Sequence, residues 1–175
     1  MKYVYYFWNR LYHGLYCYHV SSQLFVHKIL WPVIKPLYHF NRHGSSNEKL
    51  MRKREQDVIS AMTNNRFSPN LMMTDTSIIA LTIIIIWGTI NCLTNILPSL
   101  SLTSVSFISF MLISGIPAYM INHILIWRKD RYLMYFELFE QDSKTKKNIW
   151  MLITLLATIS SVVFFIISFS LMKSI

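Results

Sequence analysis

Charge is scarce in this chain, and glycine, proline and cysteine are scarcer. Charged residues are 14% of the 175, about half the share usual in a soluble globular domain. With 53% hydrophobic residues the sequence is not that of a disordered protein. Four glycines and five prolines exclude a collagenous or low-complexity chain. The two cysteines, Cys17 and Cys92, form no C-x-x-C, so neither a zinc ribbon nor a dithiol redox motif is available, and free thiols are expected. Also missing are G-x-S-x-G, H-E-x-x-H and any Gly-rich phosphate loop, so the sequence nominates no catalytic residue and the protein is expected not to be an enzyme. The N-terminal stretch offers no apolar run with a small-residue cleavage site, and residue 2 is lysine, so neither a cleavable leader nor N-myristoylation is expected of it.

What is present is a greasy chain with a formal charge of +9. Those two properties occupy different segments. From Thr76 to Trp127 no Asp, Glu, Lys or Arg occurs. One helix over that stretch would be roughly 78 Å long, against a bilayer core of about 30 Å, so the chain must turn. Pro98, among Ser99, Ser101, Thr103 and Ser104, marks the turn. A third uncharged run, Ile149 to Met172, ends at Lys173. The pattern predicts an all-α membrane protein with three transmembrane helices, about 76–97, 102–127 and 149–172, and a cytoplasmic loop at 128–148.

Orientation follows from the basic residues. Residues 1–75 hold ten Lys+Arg and 128–148 hold six, leaving only Lys173 of the seventeen. The positive-inside rule then places the N-terminus in the cytoplasm and the C-terminus outside, an arrangement expected of a bacterial cytoplasmic membrane. In outline the chain resembles small multi-span bacterial membrane proteins, but no motif in it assigns a family.

Two segments precede the first span. Residues 1–43 are rich in aromatics and histidine and read as an amphipathic, interfacial helical region on the cytoplasmic side. Val4, Trp8, Leu11 and Leu15 recur at helical spacing, and Pro32 and Pro36 are expected to interrupt any long helix. Residues 44–75 read as a basic juxtamembrane helix and linker: Ser45 and Glu48 have capping-box spacing, and Asn64-Asn65 with Ser68-Pro69 end the helix. In the 128–148 loop, Tyr132, Tyr135, Phe136 and Phe139 recur at i, i+3, i+4 and i+7, one face of a further helix.

Candidate functional residues are of two kinds. Trp8, Arg10, Lys28, Trp31, Lys35, Arg52, Lys53 and Arg54 could bind lipid headgroups or a partner, since aromatic rings and basic heads favour the membrane surface. Asn91, Asn95, Ser109 and Thr158 could pack helices together or line a pore. His39 and His43 are spaced i,i+4, yet no carboxylate or thiol stands at ligand spacing nearby, so no metal or other cofactor is expected. Nucleic acid is not expected as a partner, because Arg52-Lys53-Arg54 is short and flanked by acids. The expected partners are the bilayer and either another protein or a second copy. The function these features imply is a multi-pass anchoring or interaction protein with a basic, aromatic cap. The alternative is an oligomeric, holin-like or channel-like pore.

Overall fold

The computed structural model describes residues 2–40, 48–96 and 107–172. Among them every regular element is helical: α1 (Lys2–Phe40), α2 (Glu48–Thr63), α3 (Pro69–Ile96), α4 (Phe107–Asn122), α5 (Arg131–Glu140) and α6 (Lys144–Met172). A π-helical turn, His123–Trp127, and a 3-10 turn, Arg128–Asp130, join α4 to α5. Two helical stretches are long and apolar enough to cross a membrane, Pro69–Thr94 and Lys144–Ser170. The middle segment of the three expected, 102–127, is represented among the described residues by α4 and the π turn. Pro98 and its neighbours lie outside the described residues, as do Ser45 and His43.

The chain divides into two compact units, one of Met1–Leu15 with Asp75–Ile175 and one of Tyr16–Thr74. In the first, polarity is inverted relative to a water-soluble bundle. Ile108, Met120, Leu152, Ile159 and Ile166 are exposed, whereas Thr82, Asn91, Ser114, Asn122, Thr154 and Ser168 are buried. Helices that turn small polar groups toward one another and hydrocarbon outward suit a lipid solvent, in which apolar contact between helices gains nothing over contact with acyl chains. Close approach is written into two glycines. A Cβ on Gly14 would stand 2.9 Å from the Thr154 Cβ, and one on Gly88 would stand 2.7 Å from the Phe164 Cδ1.

Between the π turn and α5 the chain reverses without glycine. Lys129 and Asp130 both have positive φ, 60° and 50°. For L-residues the left-handed region costs roughly 1–2 kcal/mol each. The carbonyls left over where the helix ends are taken by side chains. The Arg131 Nη1 donates to the Ile124 carbonyl at 2.9 Å, and the Asn9 Nδ2 donates to the Leu125 carbonyl at 2.9 Å.

The second unit is built around the end of α2. That helix has no basic residue in its last turn, and its orphan carbonyls are met from other elements. The Asn70 Nδ2 donates to the Met62 carbonyl at 2.8 Å, and the Tyr16 hydroxyl donates to the Thr63 carbonyl at 2.9 Å. Asn64 folds the chain back, its Oδ1 accepting the backbone N–H groups of Arg66 and Phe67. Ser68 then caps α3 by accepting from the Leu71 N–H at 3.2 Å, and Pro69 occupies the first helical position, where its missing N–H costs nothing. One expectation is corrected here. Pro32 and Pro36 do not break the N-terminal helix; α1 runs through both. They are four apart and both exposed, so the lost hydrogen bonds fall on one side and the remaining ladder stays intact.

Two changes test this packing. Lys129→Gly should raise the melting temperature of the detergent-solubilised protein, by roughly 1 kcal/mol of relieved strain, whereas Lys129→Val should lower it. Gly14→Ala should destabilise the first unit, and Thr154→Gly in the same chain should recover part of the loss.

Candidate functional site

The start of α1 is enclosed rather than laid on a surface. Residues 9–14 are buried at six successive positions, which no amphipathic helix with a solvent or lipid face can achieve. Leu11, expected on a lipid-facing line with Val4 and Trp8, is among them, while Val4 is exposed and Trp8 half-buried. The enclosing elements are α3, the π turn, α5 and the first turns of α6, and three polar constellations hold the contact.

The first centres on Arg10, whose residue exposure is 1%. Its guanidinium pairs with the Asp142 carboxylate. Its Nε and Nη2 donate to the Tyr6 hydroxyl at 3.1 and 3.0 Å, and its Cζ stands 3.6 Å from the Phe139 ring centre, with Tyr6 and Trp150 each at 5.3 Å. Asp142 also accepts from the Lys146 Nζ at 2.7 Å. Partial burial pushes its carboxyl upward, but Lys146 and Arg10 outweigh that and hold it below the usual carboxylate range. One turn along α1, His13 lies edge-on to Phe136 and Phe139, ring centres 4.9 and 5.4 Å away. Burial, reinforced by the Arg10 charge, depresses its imidazole to about 4. It is therefore neutral at physiological pH.

The second constellation joins three elements on one carboxylate oxygen. The Tyr12 hydroxyl donates to the Asp75 Oδ1 at 2.6 Å, and the Trp127 Nε1 donates to the same oxygen at 2.9 Å. Burial and the Asp75 charge push the Tyr12 hydroxyl well above its ordinary value, so it remains a donor at any physiological pH. The third is built on Asn122, fully buried. Its Oδ1 accepts from the Trp8 Nε1 at 2.9 Å, and its Nδ2 donates to the Thr82 Oγ1 at 2.9 Å and the Ala118 carbonyl at 2.8 Å.

No protein-family model, curated protein or solved structure matches this chain.

Each of these constellations ties α1 to elements later in the chain. Arg10 is walled by rings and paired, and the Asp75 Oδ1 already holds two donors. Among the described residues no group of three His, Cys, Asp or Glu side chains could hold a metal ion. Cys17 and Cys92 are half-buried, and neither joins a disulfide.

The residues singled out from sequence fall in three places. Trp8 and Arg10 belong to the seam just described; Arg10 is corrected from a surface cation to an interior one, because α5 and α6 close over it. Lys28 and Lys35 are exposed, Trp31 is half-buried with its ring 5.1 Å from His27, and Arg52, Lys53 and Arg54 are exposed; all six lie in the second unit. Of the polar residues, Asn91 is buried and its Nδ2 donates to the Ser168 Oγ at 3.2 Å. Thr158 is half-buried and donates to the Thr154 carbonyl at 2.9 Å, Ser109 is exposed, and the Asn95 side chain lies outside the described ones.

Sequence reasoning missed Asn9, Tyr12 and Asp75. Asp75 stands one residue before the uncharged run and so reads as a boundary. The Ser68-Pro69 start signal could have shown that it lies inside α3, two turns from the start.

The His13 environment sets a pH dependence. An unfolded imidazole binds its proton near 6.5 and the folded one near 4, so between these values unfolding takes up a proton. Stability is whole above about pH 6.5 and is lost as pH falls toward 4, by on the order of 3 kcal/mol. Melting curves across this range should show that decline, and His13→Gln should flatten it. Asp142→Ala should be more damaging at neutral pH, on the order of 3–5 kcal/mol, because it strands a buried cation.

Proposed function

We propose that this protein is a three-span membrane anchor that presents its basic, aromatic segment to a partner or to the membrane surface. The N-terminus is cytoplasmic and the C-terminus lies outside. Support for the third span comes from α4 and the π turn together. They carry no charge from Phe107 to Trp127 and span on the order of 30 Å, enough for a bilayer core. Support for the orientation comes from the basic residues, sixteen of seventeen of which lie outside the Pro98 turn and the C-terminal tail.

The observation that favours an anchor over a pore is the engagement of the intramembrane polar groups. Asn91 is turned to Ser168, and Asn122 to Trp8 and Thr82. Groups satisfied within one chain hold helices together and leave little to line a water path. Residues 16–68, with exposed Arg52, Lys53 and Arg54, precede the first span and are the part offered for recruitment.

Expression in a bacterial host tests both halves. A C-terminal alkaline phosphatase fusion should be active and a C-terminal green fluorescent protein fusion dark; the reverse would remove the three-span topology. Induction should admit no impermeant dye. Rapid leakage that Asn91→Leu with Asn95→Leu abolishes would establish the pore instead.

A further inference from the structure

We propose that the outward face of α1 between Tyr18 and Pro36 seats in the headgroup layer of an anionic phospholipid bilayer. The proposal rests on the membrane reading above and names the surface that this segment takes as its partner. Phe25, Ile29 and Val33 follow one another at i, i+4 and i+8, and all three are more than half exposed, Phe25 and Val33 at 65%. Tyr18 extends the same line by two turns and Val26 widens it. Large apolar side chains in a continuous exposed stripe are a docking surface rather than scatter. On the opposite side, Leu24, His27, Trp31 and Ile34 are half-buried, and Gln23 reaches the Met73 sulfur at 3.3 Å, so the stripe is the side that the described residues of this unit leave uncovered.

Charge decides between occupants. Lys28 and Lys35 are exposed, one heptad apart, along one border of the stripe, roughly 100–120° round the helix from Ile29. No Asp or Glu occurs before Glu48, so α1 supplies no countercharge of its own. A second copy packed antiparallel through the stripe would bring the lysine border of one chain toward that of the other, and one packed parallel would leave both borders without a countercharge from α1. An anionic headgroup layer complements both features at once: the apolar stripe enters the acyl boundary and the lysine heads stay among the phosphates. Backbone chemistry agrees. Pro32 and Pro36 fall on the exposed side, and each deprives the carbonyl four residues earlier of its helical donor. Such carbonyls are tolerable in a hydrated headgroup layer and costly in a dry protein contact.

The test uses the full chain, with Cys17→Ser and Cys92→Ser, reconstituted in phosphatidylcholine vesicles with or without phosphatidylglycerol. Nitroxide labels at Ile29→Cys and Val33→Cys are read by their accessibility to oxygen and to a soluble nickel chelate. Oxygen access should exceed nickel access, and nickel access should fall roughly threefold or more when phosphatidylglycerol is present. Lys28→Glu with Lys35→Glu should cancel that fall. High nickel access in both lipids overturns the proposal. So does low access to both reagents, which marks a protein contact, or spin–spin broadening that vanishes on dilution with unlabelled chain, which marks a second copy. Alkaline carbonate extraction separates the two readings: a chain released from the membrane defeats the anchor, whereas a retained chain with a wet Ile29 defeats only the lipid seat.

Discussion

A guanidinium held away from water is the constraint around which the first unit is arranged. Removing Arg10 from solvent is worth several kcal/mol of penalty on its own. That penalty has to be met by groups from separate parts of the chain. Tyr6 comes from the preceding turn of α1, Phe139 from α5, Asp142 from the loop after it, and Trp150 from α6. None of these can move far without stranding the charge. The cation therefore fixes the register of α1 against α5 and α6, and with it the depth at which Tyr12 and Trp8 meet α3 and α4. Buried ion pairs seldom add net stability over a packed apolar core, but they punish wrong arrangements, and that is the role the geometry gives this one.

The hydrogen bonds further in follow the same logic in a setting where water is scarce. Asn122 is satisfied on both of its polar atoms, by an indole N–H on one side and by a threonine hydroxyl and a backbone carbonyl on the other. Asn9 and Arg131 take carbonyls that the end of the π turn leaves open. The Trp8, Asn9 and Arg131 contacts tie α1 and α5 to the end of α4 and the π turn that follows it. Together they explain why the strained reversal at Lys129 and Asp130 persists: the groups on either side are anchored, and the backbone between them has no cheaper path.

Much of the helical outline was legible in the sequence. The uncharged runs marked the long apolar helices, and the Tyr132–Phe139 spacing marked α5, whose Phe136 and Phe139 are buried. Asn64 and Ser68-Pro69 marked the break before α3. The seam was not legible, for a physical reason. Periodicity detects a helix with one wet or lipid face and one packed face. Residues 9–14 are covered all round, so the polar and apolar sides of their sequence, Asn-Arg-Leu-Tyr-His-Gly, do not tell a packed face from an open one. The aromatic and basic composition that suggested a membrane surface for Trp8 and Arg10 suits an aromatic-walled ion pair equally well, and only the placement of Asp142 separates the two.

The two halves of α1 thus meet opposite fates with similar composition. Both are aromatic, both carry basic residues, and neither contains an acid. In the first half an acid arrives from elsewhere in the chain, Asp142, and the rings close round the pair. In the second half Lys28 and Lys35 remain exposed beside an exposed apolar stripe. A basic, apolar helix face needs both a countercharge and hydrocarbon. Where the protein supplies them the helix becomes core; where it does not, the anionic bilayer proposed above would supply both in one surface.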